Sequence, residues 1–219
     1  MDWNSIARAV QEAFRTAVNE WIGKARIQGG RVQGASAVLT PGSLVSETNV
    51  ELRMNQALVA SKVPNGIAGA LAKVLGGAWH EWAVGFQIQL PMAYPTFVAV
   101  PGPFAPPTPA AGAPSLSQGS SPGESSLKAQ VLLNRLTSAL RPHLKAAGGS
   151  PDNALKTLAH WVDGSFSEWK STVRLTGLIG KGPVPTFAPP YVPVGPVLAG
   201  DNMSTGPLFA GPRFGKIVP

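Results

Sequence analysis

Apolar residues recur at three- and four-residue steps in three separate stretches of the chain, and each stretch ends on a Glu-Trp pair. The pairs are Glu20-Trp21, Glu81-Trp82 and Glu168-Trp169. Superimposing them aligns the flanks without gaps. Ile6, Val10, Phe14, Val18 and Trp21 fall on Ile67, Leu71, Leu75, Trp79 and Trp82, and then on Ala154, Leu158, Val162, Phe166 and Trp169. Steps of three and four place these side chains on one helical face, so each stretch is expected to be an amphipathic helix. Asp2 or Asn4 is placed to cap the first. Pro64-Asn65-Gly66 precedes the second. Ser150 followed by Pro151 gives the third a cap and a first-turn proline.

After each Trp the period shortens toward two. Ala25-Arg26-Ile27-Gln28, Phe86-Gln87-Ile88-Gln89 and Val173-Arg174-Leu175-Thr176 all alternate apolar with polar, which predicts a short strand. An additional helix precedes the second and third stretches, at about 50–63 and 126–146, with an acid just ahead of each at Glu47 and Glu124. In the longer of these, Leu127, Val131, Leu132, Leu136 and Leu140 make an apolar stripe that Pro142 should end or kink. Short connections then predict antiparallel helix pairs.

The expected fold class is α+β, built from three internal repeat units: an amphipathic helix or helix pair, a short β-strand and an extended Pro-rich arm. The units span 1–46, 47–123 and 124–219. Phe14, Trp21, Leu75, Trp79, Trp82, Phe166 and Trp169 are the expected core anchors. A buried Trp removes about 150 to 250 Å² from water, an upper bound of roughly 4 to 6 kcal/mol of transfer free energy.

Beyond each short strand the composition shifts sharply. No Asp, Glu, Lys or Arg occurs from Trp82 to Gly123, and prolines punctuate both Pro91 to Gly123 and the C-terminal stretch from Gly180. Such segments cannot be α-helical, and proline restricts sheet pairing to edges. The arms resemble each other, since Pro95-Thr96-Phe97 is matched by Pro185-Thr186-Phe187. A shorter version spans Gly34 to Val45, with Pro41-Gly42 as a turn. A solvated linker would be charged and serine-rich, whereas these carry Tyr94, Phe97, Val100 and Phe104, then Phe187, Tyr191, Val194 and Phe209. Apolar residues in such number require a covering surface, and a proline-stiffened chain loses little entropy on docking. Those eight residues are the expected contacts to neighbouring subunits. Only Ala110 to Gly123 reads as a true linker.

Candidate chemistry is sparse. The 219 residues include no Cys and 3 His, which excludes disulfides, thiolate nucleophiles and zinc ribbons. His80 aligns with Asn19 and Ser167, so the repeated pattern does not require an imidazole there. His160 and Asp163 are one helical turn apart, the spacing of a solvated pair, and His143 belongs to a helix end. No phosphate-binding glycine motif is present. Enzymatic activity, a cofactor, a metal and a small-molecule substrate are therefore not expected. The formal charge of +7 comes from 18 Lys and Arg against 11 Asp and Glu, with the excess in the C-terminal unit. The bases are dispersed along the sequence, so specific nucleic-acid reading is not expected, while weak attraction to an anionic surface is.

The N-terminus lacks the basic start and apolar stretch of a secretory signal, and no segment is fit to span a bilayer as a helix. Together these features predict a structural subunit of a larger particle, such as a virion, phage tail or contractile-injection-like machine. It would be made in the cytoplasm and lay its arms across other subunits in a homo- or hetero-oligomeric assembly. A basic adaptor for nucleic acid or an anionic membrane is the alternative.

Overall fold

The computed structural model describes residues 2–94, 98–99, 104–144, 150–183, 193–194 and 197–215. Helices and strands are both present and interleaved along the chain, giving an α+β protein. The first part of the chain runs α1 (Trp3–Lys24), β1 (Arg26–Ile27), β2 (Gly30–Gly34), β3 (Ser36–Leu39), β4 (Leu44–Val45) and α2 (Val50–Ala60). The middle runs α3 (Asn65–Gly85), β5 (Ile88–Leu90), β6 (Val98–Ala99), β7 (Phe104–Pro109) and α4 (Ala129–Leu144). It closes with α5 (Asp152–Thr172), β8 (Arg174–Leu175), β9 (Leu178–Pro183), β10 (Pro193–Val194), β11 (Val197–Ser204) and β12 (Phe209–Ala210).

Local chemistry accounts for the helix ends. Asp2 accepts a hydrogen bond from the Asn4 amide at 3.0 Å, and Asn49 accepts one from the Leu52 amide at 3.0 Å, each relieving an unpaired first-turn donor. α2 stops at Ala60, short of the expected 63, because Lys62 takes a left-handed conformation at φ 62° ahead of Pro64. α4 starts at Ala129 rather than 126, since Pro122–Leu127 is wound as a 3-10 turn that contains Glu124. Pro142 lies inside its last turn, and the helix runs two residues past it. α5 begins at Asp152, one residue later than expected, with Pro151 at the cap position. Ser150 still accepts from the Asp152 amide at 3.3 Å.

α3 is the centre of the helical layer. It packs against α2 on one side and against α4 and the 3-10 turn on the other, while α1 joins α2 to α5. Its faces are correspondingly apolar nearly all round, with Ile67, Leu71, Leu75, Trp79 and Trp82 all buried.

The three Trp-bearing helices α1, α3 and α5 each run toward the sheet and pass into a strand. Arg26 pairs with Val45, Gln87 with Ser120 and Arg174 with Ala210, all antiparallel. Between these points the chain forms the excursions that build the main sheet, ordered β5-β3-β2-β11-β9-β7 and antiparallel throughout. Its two ends, β5 and β7, belong to the same excursion. The Ala111 amide donates to the Ala93 carbonyl at 2.7 Å, and the Tyr94 amide to Ala35 at 2.9 Å, so the sheet rolls up until its edges are bridged. The bridge joins the chain just past each edge strand, while β5 and β7 themselves remain the two ends of the sheet. Along β7 the register slips between Ala105 and Thr108, where Pro106 and Pro107 have no N–H to give.

The expected linker, Ala110 to Gly123, is instead part of the core. Leu116 is buried and its amide bonds Val173, while Ser121 donates to the Trp82 carbonyl at 2.8 Å. A side chain on Gly123 would collide with the Glu81 backbone, so the segment lies directly on α3. Small residues there permit close packing, and composition alone does not distinguish that from solvation.

Candidate functional site

Three regions hold the residues the sequence singles out: an aromatic cluster between the helices, the inside of the rolled sheet, and the rim where the arms leave it.

All seven anchor residues, Phe14, Trp21, Leu75, Trp79, Trp82, Phe166 and Trp169, are buried. Trp79 is the hub. Its ring lies 4.8 Å from Trp82, 5.4 Å from Trp21 and 5.6 Å from both Trp169 and Phe214, with Phe166 at 6.2 Å and Phe14 at 6.3 Å. Most of these pairs are edge-to-face or steeply tilted, as ring quadrupoles favour. Among the described residues the indole N–H groups of Trp79, Trp82 and Trp169 have no hydrogen-bond acceptor. Ser46 donates to the Trp21 carbonyl at 3.0 Å, as Ser121 does to that of Trp82, tying each helix end to the returning chain.

The Glu of the Glu-Trp pair faces outward. Glu20 is bonded by Lys24 at 2.9 Å and by Arg53 of α2 at 2.8 Å, which hold its carboxyl below the usual range, the Lys24 bond most. Glu81 accepts from Ser126 and from Arg135 of α4 at 2.9 Å. Burial works to raise its pKa, but those two bonds and the Arg135 charge outweigh burial and hold it low. Both glutamates thus fasten a Trp helix to the next helix in the chain.

Of the eight arm residues, Tyr94 and Phe209 are occupied within the chain itself. Tyr94 lies inside the rolled sheet with its ring over Gly180, where an added Cβ would meet it at 2.9 Å. Its hydroxyl donates to Oδ1 of the fully buried Asn202, and burial pushes its pKa up to about 12. Phe209 is half-buried, with its ring 5.3 Å from Trp169 and 6.3 Å from Trp21. Phe104, at the start of β7, is 66 % exposed. Val194 pairs with Val98 through the backbone, and Pro193 with Ala99, so the two arms meet each other. Phe97, Val100, Phe187 and Tyr191 lie outside the described residues. Met92, 68 % exposed at a left-handed φ of 53°, stands beside the root of the first arm, where sequence reasoning did not mark it.

A groove of about 960 Å³ runs between α1 and residues 209–215, with Arg15, Asn19, Trp169, Phe209 and Arg213 among its walls. Asn19 clamps its far side, donating to the Phe214 carbonyl at 3.1 Å and accepting from the Phe214 amide at 2.9 Å. A smaller cavity of about 390 Å³ lies beside Trp21 and Trp79 under the start of α2, with His80 at its edge. The smaller one is also lined by Ser46, Glu47, Thr48 and Glu51, but among the described residues no hydrogen bond joins the His80 imidazole to either hydroxyl. Among the described residues, no group of three or more His, Asp and Glu is placed to hold a metal ion. His160 and His143 stand apart on α5 and α4. No helix among them is long and apolar enough to cross a membrane.

Sequence reasoning missed two features. Asn202 gives no sign in its neighbourhood, because its burial depends on Tyr94, which is supplied by a different excursion. The second is where the dispersed bases fall: Lys62 follows the end of α2, Arg141 is in the last turn of α4 and Lys156 is near the start of α5. A trace of this was present in the sequence: no Asp or Glu occurs from Leu52 to His80 or from Ser125 to Pro151.

Comparison with known protein families, curated proteins and solved structures finds no match for this chain.

Proposed function

We propose that this protein is a non-enzymatic structural subunit of a larger particle, of the virion, phage-tail or contractile-injection kind. It binds neighbouring subunits through the rim from which its Pro-rich arms leave the rolled sheet. The observation that carries this reading is the exposure of Met92 and Phe104, which flank in sequence the arm whose Val98-Ala99 pairs with Pro193-Val194. Large apolar side chains exposed at the two ends of an uncharged, proline-stiffened segment suit low-entropy docking along it. Tyr94 and Phe209 serve the chain's own core, so docking falls on the rim.

The same reading takes the three helix-Trp-strand segments as copies of one unit, at 1–46, 47–123 and 124–219, arranged about Trp79. Supporting it, Arg26, Gln87 and Arg174 superimpose in sequence, and each pairs with the chain returning to its own helix. Fusing three units in one chain fixes their ratio and orientation, which suits a scaffold.

Light scattering of the full chain over a rising concentration series tests the docking surface. Self-association that is lost in Phe104→Glu and Met92→Glu is the expected result. A monomer at every concentration whose arms are cut rapidly by protease would count against it.

A further inference from the structure

We propose that the end of the helical layer remote from the rolled sheet is a docking face for the phosphate backbone of double-stranded nucleic acid. Because α1, α3 and α5 all run toward the sheet, their first turns share the opposite end. Trp3, Ile6, Leu71, Ala154 and Leu155 line one small void there. The last turn of α4 is at the same end, since His143 lies against Gly66, where an added Cβ would be 2.8 Å from its ring.

The charges divide along this axis. Glu20, Glu47, Glu81, Glu124 and Asp163 are on the sheet side, where Lys24, Arg53, Arg26, Arg135, Lys170 and Lys128 neutralise them. The remote half of the layer carries Lys62 after α2, Lys73 in the first half of α3, Arg141 in the last turn of α4 and Lys156 in the first turns of α5. All four are exposed, and none makes an ion pair among the described residues. The exposed Arg8 adds a base to this half, and its acids are Asp2, Asp152 and Glu12, the last paired with Arg15 at 2.7 Å. Asp2 is bonded by the Asn4 amide and Ser5 with Arg8 nearby, and Asp152 accepts from Ser150. A chain whose bases look scattered therefore presents a cationic end. Four separate, solvated point charges are what a phosphate backbone engages, through release of its counterions.

The chemistry of the face selects among anionic partners. Trp3 is buried, so no aromatic platform is offered for stacking single-stranded bases. Val59 is the sole large apolar residue exposed toward this end among the described residues, too little to insert into a bilayer interface. It is likewise too little for the apolar centre of a protein interface. Duplex backbone contact, without base reading, is what remains. The inference is independent of rim docking, and either can fail alone.

The test is fluorescence anisotropy of a labelled mixed-sequence DNA duplex with the full chain, titrated across a KCl series. Four phosphate contacts predict an affinity that falls with salt with a log–log slope of about −3 to −4. Lys62→Glu with Arg141→Glu should flatten that slope by about 2, and the paired Gln substitutions should act in the same direction. Lys181→Glu, on the sheet, should leave it unchanged. Lys62 and Arg141 are exposed and make no ion pair among the described residues, so melting temperatures of their variants should match the parent. Absence of binding at the lowest salt overturns the proposal. So does an effect of Lys181→Glu equal to that of the remote pair, or binding to phosphatidylglycerol vesicles in place of the duplex.

Discussion

Truncating Trp79 to alanine removes the ring on which six other aromatic side chains converge. Trp79 is 1 % exposed, so nearly its whole surface is withdrawn from water. At 25 cal/mol per Å², burial of about 200 Å² corresponds to an upper bound near 5 kcal/mol of transfer free energy. Truncations of a buried Phe or Trp to Ala cost about 3 to 5 kcal/mol in all, and the cost rises by about 24 cal/mol for each Å³ of cavity that does not collapse. Collapse is opposed here, because the lining is made of stiff rings from α1, α3, α5 and the C-terminal segment, which cannot all move inward together. The expected loss is about 4 to 5 kcal/mol, a large share of the roughly 5 to 15 kcal/mol typical of a folded domain. Guanidinium melts followed by far-ultraviolet circular dichroism measure it without relying on the deleted fluorophore. Trp79→Phe, expected to lose about half as much, keeps the reasoning testable if the alanine variant does not fold. A loss below about 1.5 kcal/mol for Trp79→Ala with an unchanged denaturant slope would refute the claim that this ring is the hub.

Two further predictions concern titratable groups. Tyr94→Phe should cost about 1 to 3 kcal/mol near neutral pH, because it strands the buried Asn202 amide oxygen. The parent should also lose stability as pH rises from about 10 toward 12, since Tyr94 ionises more readily unfolded than folded, and the Phe variant should lack that component in pH-dependent melts. Glu81 has a depressed folded pKa, so its stabilising contribution is present above the unfolded value of 4.5 and fades as pH falls below it. Glu81→Gln should therefore show a shallower decline in melting temperature on acidification. An equally steep decline in parent and variant would mean that the Arg135 and Ser126 bonds carry no net weight.

The helices and the strands that follow them were legible in the sequence because their signals are local. Side chains three and four apart share a helix face whatever the rest of the chain does, so the run from Ile6 to Trp21 and its two counterparts announce α1, α3 and α5. Alternation in Phe86-Gln87-Ile88-Gln89 likewise announces β5. Helix limits shifted by a few residues where a local conformation intervened, as at Lys62, or where a 3-10 turn preceded α4.

What the arms do was not legible, because sheet pairing joins residues remote in sequence. Tyr94 reads as an exposed arm residue until Gly180 and Asn202 are brought beneath it, and Phe209 until Trp169 and Trp21 stand beside it. Ala110 to Gly123 has the composition of a linker, yet its small residues are what lets it lie on α3. The separation of charge along the helical layer was equally hidden. Lys62, Arg141 and Lys156 are distant in sequence, and only antiparallel helix packing brings them to one end. Periodicity therefore fixed which segments are helix and strand, while long-range pairing decided which apolar residues are spent inside the chain and which surfaces are left to meet something else.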